Sequence, residues 1–169
     1  QFVIRYGESM AALTGEYLNA DGTTERISLS IDPASGKQIR RNSKAYNRLS
    51  DHVGLIPVVM ISPSDTALIN DSGEERRRYL NSILSQLDRE YLRRLQNYNI
   101  LLSRRNKLLK GDNIAEELLW AYSEKMSEDG SYLYEKRRDF VKSISPAVEQ
   151  YYGQISGERE QIRVEYRSD

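Results

Sequence analysis

The rhythm of apolar and polar residues changes near residue 71. Before it, short stretches partly alternate; after it, apolar residues return every three or four positions. In 9-SMAALTGEYL-18 and 23-TERISLSI-30 the alternation predicts two strands. Asp21-Gly22, inside the intervening 19-NADG-22, predicts a tight turn between them. A third strand is expected over 37-KQIRRN-42, after the turn-forming 32-DPASG-36. Three such strands make a small antiparallel sheet, too thin to enclose a core. The run 56-IPVVMI-61 is apolar without interruption, as in a strand buried on both faces. No other segment offers a comparable central strand, so the sheet reads as incomplete.

From residue 72 the pattern is helical. Ser72 with Glu75 three residues on predicts a capping box, and Glu74 and Glu75 suit the positive end of the helix dipole. Leu80, Ile83, Leu84 and Leu87 share one face of this first helix. A second helix is expected from about 88 to 110, with Tyr91, Leu95, Tyr98, Leu102 and Leu109 at near-heptad spacing. Gly111 ends it, and Asp112 or Asn113 caps a third helix carrying Ile114, Leu118, Ala121 and Tyr122. The polar stretch 127-SEDGS-131 predicts a break. A fourth helix follows with Leu133, Phe140, Ile144, Val148 and Tyr151, kinked or restarted at Pro146. The tail 160-EQIRVEYR-167 returns to strand alternation. The expected class is therefore α+β: a small antiparallel sheet over 1–70, an inserted all-helical arm over 71–153, and a returning strand in 154–169.

Composition narrows the chemistry. The 169 residues carry no net charge, so the chain as a whole is no electrostatic partner for nucleic acid or an anionic membrane. Its charge is uneven, however. Residues 72–110 hold 10 basic and 4 acidic groups, and residues 112–139 hold 4 basic and 8 acidic ones. There is no cysteine, which removes disulfides, thiolate catalysis and cysteine zinc sites and fits a reducing compartment. No apolar run approaches the roughly 18 residues that span a bilayer. The opening QFVIRYGESM lacks the apolar core and cleavage site of a signal peptide. It also lacks an initiator Met, so the chain is expected to be a piece of a longer protein.

No constellation demands catalysis or a metal. The single histidine, His52, has no partner pattern, and 36-GKQ-38 lacks the other residues of a phosphate loop. Trp120, beside the third helix's stripe, reads as packing, as do many of the 12 tyrosines.

Basic residues carry what signal there is. Arg76, Arg77 and Arg78 fall in the first turns of a helix, where the dipole is already positive. One heptad back from Ile83 and Leu84, Arg76 and Arg77 continue the apolar stripe, while Arg78 turns toward solvent. Either they pair with Asp65, Asp71 or carbonyls of the preceding loop, or they receive a phosphate or a docking domain. The second cluster, 104-RRNKLLK-110, offers Arg104, Arg105, Lys107 and Lys110. Either the acidic third helix folds back on it and cancels its charge, or it contacts phosphate backbone.

The stretch 56-IPVVMISPSDTALINDSGEERRRYLN-81, followed by 98-YNILLSRRNKLLK-110, resembles the RecF recombination-mediator family. The shared pattern is an apolar strand, a Ser-Pro-acid loop, an Arg-Arg-Arg-aromatic-Leu helix start and a later Arg-Asn-x-Leu-Leu-Lys. A weaker likeness covers the first strands and 144-ISPAVEQYYGQIS-156. The family's phosphate-binding loop, signature motif and apolar-strand-Asp motif are not among these residues.

The resemblance implies the middle of a protein with an ABC-type ATPase head and a helical lobe. It implies no ATPase activity for these residues alone. For the whole protein it implies ATP and Mg as cofactors, DNA binding, an ATP-dependent homodimer, RecR and RecO as partners in loading RecA at gaps, no membrane, and a bacterial cytoplasm. It places 62-SPSD-65 where related ATPases have the glutamine loop. The family's Glu after Pro is here Ser64, with Asp65 next, and these two become the possible nucleotide-sensing residues. Arg76 to Arg78 then lie on the helix leaving that loop, poised to couple nucleotide state to the arm. A purely structural coupling or dimerisation arm without DNA contact is the alternative.

Overall fold

The computed structural model describes residues 3–111 and 115–168, in two compact units divided after Pro57. The expected caps at Asp112 and Asn113 and the stripe residue Ile114 lie outside the described residues.

The first unit is an antiparallel sheet of β1 (Ala11–Leu18), β2 (Thr24–Asp32), β3 (Gly36–Arg41) and β4 (Lys44–Ala45), in that spatial order. Its turns are built by the residues that predicted them. Asp21 Oδ1 accepts from the Thr23 N–H at 2.9 Å and from its hydroxyl at 2.6 Å, which holds the Asp21 carboxyl below its usual range. Asp32 likewise accepts from the Ala34 N–H and the Ser35 hydroxyl, both at 2.8 Å. The last turn puts Asn42 and Ser43 at φ 48° and 71°. Asn is among the residues that tolerate this region, and its Oδ1 accepts the Arg26 N–H at 2.9 Å.

Register places Leu13 opposite Leu29 and Leu29 opposite Ile39, with Ile27 and Ile31 on the same face. Only Ile27 among these is buried, so one sheet face carries apolar side chains that four thin strands cannot cover. His52 sits in a short 3-10 turn (Leu49–His52), its Nδ1 3.5 Å from the Tyr46 hydroxyl.

The run 56–61 forms no strand. It has no regular secondary structure, and Val58, Val59, Met60 and Ile61 are all exposed. Its composition suits a strand buried on both faces, but among the described residues it joins no ladder. The Val58 N–H is met instead by the Gln86 side chain at 2.9 Å.

The second unit holds a 3-10 turn (Pro63–Thr66) and helices α1 (Ala67–Asn70), α2 (Gly73–Leu87), α3 (Arg89–Leu109) and α4 (Glu116–Ser156). Ser72 caps α2 by accepting the Glu74 N–H at 3.3 Å. Neither bond of the expected box forms: Ser72 reaches the second helical N–H rather than that of Glu75, whose own side chain turns to Arg78. Asp88 ends α2 and caps α3, accepting from the Glu90 N–H at 2.9 Å and the Tyr91 N–H at 3.1 Å.

The expected third and fourth helices are one helix of 41 residues, about 60 Å long. It runs through 127-SEDGS-131 because Asp129 is buried against α3 there and Gly130 seats the Tyr98 ring. It also runs through Pro146, with packing at Leu133, Phe140 and Val141 ahead of it offsetting one missing hydrogen bond. α4 ends at Gly157, whose φ of 63° is the left-handed conformation that favours glycine at a C-cap.

The core joins Leu84 of α2, Tyr91 of α3 and Leu133 of α4, with Leu95, Tyr98, Tyr132 and Phe140 around it. Contacts pair rising numbers on α3 with falling numbers on α4 (88 with 136, 94 with 129, 105 with 123), so these helices are antiparallel. The tail 160–167 is not the expected strand and has no regular secondary structure, but its alternation shows in burial: Ile162, Val164 and Tyr166 are half-buried and the residues between them exposed. It forms no sheet ladder and lies along α4. The Val164 carbonyl accepts from the Ser145 hydroxyl at 3.2 Å, and the Tyr134 and Tyr166 rings stand 5.5 Å apart.

Candidate nucleotide-coupling and nucleic-acid site

The loop before α1 is a self-closed turn. Asp65 Oδ2 accepts the Ser62 N–H at 2.7 Å, and the Asp65 N–H donates to the Ser62 carbonyl at 3.0 Å. Ser64 and Asp65 are exposed at its crest. Pro63 at the first position fixes φ for the turn. One Asp65 oxygen is committed to the backbone. The other Asp65 oxygen and the Ser64 hydroxyl are the hard oxygen donors left at the crest.

Arg76 and Arg77 do not continue the buried stripe of α2; all three arginines are exposed. The α2 stripe becomes buried only at Leu84, near the junction with α3, while its first turns stand clear of the core. Arg76 bridges elements: its Nη1 donates to the Leu68 and Asp71 carbonyls, both at 3.1 Å. The carbonyls at the end of α1 have no helical partners and carry the negative end of its peptide dipoles. A cation at the start of α2 is thus a cation at the end of α1. Arg78 pairs along its own helix with Glu75 at 3.0 Å and Glu74 at 3.8 Å. Arg77 makes no ion pair among the described residues.

At the far end of α3, Arg105 is half-buried and its Nε donates to the Ser123 hydroxyl at 3.1 Å. Ser123 passes the bond on to the Leu119 carbonyl at 2.8 Å. Arg104, Lys107 and Lys110 are exposed, and among the described residues none forms an ion pair. Carboxylates of α4 therefore do not cancel this cluster within the described chain. No bond or ion pair joins it to Arg76–Arg78.

Cross-helix pairing is concentrated nearer the α2–α3 junction, in residues the sequence reading passed over. Asp129 is held by Arg94 at 3.3 Å and by Asn97. Asp88 accepts from Lys136 at 2.8 Å and from the Tyr132 hydroxyl at 3.0 Å. Burial pushes the Asp88 carboxyl up, but bonds from Lys136, the Tyr91 N–H and Tyr132 outweigh it and bring it down to about 2. Arg137 donates to the Tyr91 hydroxyl at 2.9 Å and to Asn81 Oδ1 at 2.8 Å, while the Tyr91 hydroxyl donates to Asn81 Oδ1 at 2.6 Å. Burial works against the Arg137 charge; bonding to Tyr166 and Tyr91 outweighs it and raises the pKa. A polar residue at a core-facing heptad position was the available signal for Asp129 and Arg94.

Trp120 is not packed: it is 70% exposed. Among the described residues no group of three His, Cys, Asp or Glu is placed to hold a metal, and no helix is long and apolar enough to cross a membrane.

No protein-family model matches the chain. The DNA replication and repair protein RecF of Bacteroides fragilis is 41% identical over 166 residues, covering 98% of this chain and 45% of that protein. Those of Porphyromonas gingivalis and Flavobacterium johnsoniae are 40% and 36% identical, each again over 98% of this chain. Among solved structures, the recombination mediator protein RecF-ATP in the RecFOR pathway superposes with a TM-score of 0.85 at 26% identity, covering 91% of this chain and 42% of that one. The RecF-ATPrS form gives 0.83. A four-stranded antiparallel sheet followed by a helical arm, with this likeness, defines part of an ABC-type ATPase. The chain belongs to the RecF family, and it spans about 45% of the length of the curated relatives it matches.

Proposed function

We propose that this chain is the part of a RecF-type recombination and repair protein that couples the ATPase head to a helical arm meeting DNA. It does no chemistry itself. Ser64 and Asp65 meet the ATP and Mg bound by the whole protein. Arg76 ties that loop's outgoing helix, α1, to α2, so a shift at the loop moves α2 and, through Asp88, α3. Arg104, Lys107 and Lys110 face the DNA backbone, with Arg105 anchored on Ser123. In the whole protein this coupling serves ATP-dependent homodimerisation and work with RecR and RecO at gaps, where RecA is loaded, in the bacterial cytoplasm.

The observation that carries this reading is the exposed cationic face near the end of α3, without ion-pair partners among the described residues. Phosphate contact needs only such a face, and each phosphate neutralised contributes about 0.9 to the slope of log affinity against log salt. The test is fluorescence anisotropy of the chain on gapped duplex DNA over a salt series, beside an Arg104→Ala/Arg105→Ala/Lys107→Ala variant. Support is salt-sensitive binding whose slope falls by about 2 to 3 in the variant. No binding at low salt refutes DNA contact by the arm. It would favour the second reading, a structural coupling arm, for which the Arg94–Asp129 and Lys136–Asp88 pairs speak.

A further inference from the structure

Tryptophan is usually well covered in folded proteins, and it is the residue most enriched at the centre of protein interfaces. This chain has one tryptophan, and the described residues leave it 70% exposed. On α4, Trp120 lies about 180° around the helix from Asp129 and about 140° from Leu133, the residues buried toward α3. It is on the outward side. Trp120, Ser123, Glu124, Ser127, Glu128 and Ser131 line a shallow hollow there, with Ser123, which accepts from Arg105 of α3, at its inner edge. The serines are short and leave its floor low; the indole and the carboxylates make its walls. Glu124 makes no ion pair among the described residues, and Glu128 pairs only with Lys125 of its own helix. Glu117 extends the same outward stripe by one turn.

We propose that this outward face of α4 is a docking surface for a basic protein segment: a helix with Lys or Arg flanking a Leu or Ile side chain. The apolar side chain sits against the Trp120 ring, and Glu117, Glu124 and Glu128 select the charge. Charge complementarity fixes the partner's class. Nucleic acid is a polyanion and is repelled by this rim. The inference does not rest on DNA contact by α3, whose exposed cations are on the other helix.

Because Trp120 is the only tryptophan, its emission reports its own coverage. The experiment titrates the whole 169-residue chain with a synthetic amphipathic peptide of about 18 residues, five helical turns, bearing Lys and Arg around a Leu stripe. A control peptide has Glu at every Lys and Arg. The expected result is a saturable, salt-sensitive blue shift with the basic peptide and none with the acidic one. Glu124→Lys/Glu128→Lys should weaken binding about 10-fold, and so should Trp120→Ala, read by anisotropy of labelled peptide, with Trp120→Phe recovering part. The same charge change on the sheet unit, Glu8→Lys/Glu16→Lys, should leave binding unchanged. Absence of saturable binding, equal binding of the acidic peptide, or indifference to Trp120→Ala overturns the proposal. Gapped DNA added to the same samples reads the α3 site separately, so either site can fail alone.

Discussion

Asp129, 1% exposed in the first half of α4, lies 3.3 Å from the Arg94 guanidinium on α3. The pair fixes the register of the hairpin where apolar contacts alone would allow sliding, since Tyr98 and Leu95 lie on the same stripe. Removing one partner leaves a buried charge with less compensation. Asp129→Ala should cost about 2–4 kcal/mol in urea unfolding. Asp129→Asn, which can still accept from Asn97, should cost less. Equal, small losses in both would show the pair to be incidental.

Asp88 gives the arm an acid limit. Its carboxyl lies at about 2 in the folded chain, against 3.8 for the free side chain. A depressed carboxyl stabilises the fold above its unfolded value, and that contribution disappears as pH falls from about 4 through about 2. The full difference corresponds to about 2.5 kcal/mol, and partial exposure of Lys136 reduces it to nearer 1–2. Asn also caps helices well, so Asp88→Asn isolates the charge. Stability measured from pH 6 down to pH 2 should fall less steeply in Asp88→Asn than in the parent chain.

Gly130 should be replaceable. A Cβ there would meet Tyr98 Cε2 at 3.5 Å, an ordinary contact, and the residue is inside α4. Gly130→Ala should therefore raise stability by about 0.5–1 kcal/mol. Gly157→Ala, at φ 63°, should lower it by about 1 kcal/mol. Thermal melts of the two variants should move in opposite directions.

Arg76→Ala frees the Leu68 and Asp71 carbonyls. These are exposed bonds, so the stability loss should be below about 1 kcal/mol. In the full-length protein, Arg76→Ala with Arg77→Ala should abolish nucleotide-dependent dimerisation, measured by light scattering with and without ATP. Unchanged dimerisation would remove the coupling role.

Much of the fold is legible in the sequence because it is locally encoded. Asp21-Gly22 and Asp32 through Gly36 make the turns they announce. Ile162, Val164 and Tyr166 alternate in burial as written, although the tail forms no strand and lies along α4; period two specifies which side chains are covered, not the neighbour. The misreadings arose where tertiary contacts override local signals. SEDGS has the composition of a loop, but Asp129 is paired by residues more than 30 positions away. Arg76 and Arg77 fit the helical stripe, yet that stretch of α2 has no core to face. Trp120 falls near an apolar stripe by spacing and stands outside it in space. The family resemblance was legible from the Arg-Arg-Arg and Arg-Asn-x-Leu-Leu-Lys motifs, and the relatives bear it out.

An unbroken helix of 41 residues is also a lever. Over about 60 Å, a tilt of about 5° at the Gly157 end sweeps the other end through about 5 Å, more than a helix rises in three residues. Angular play too small to disturb a hydrogen bond near the pivot is thereby amplified into a change of reach at Trp120 and the neighbouring cations.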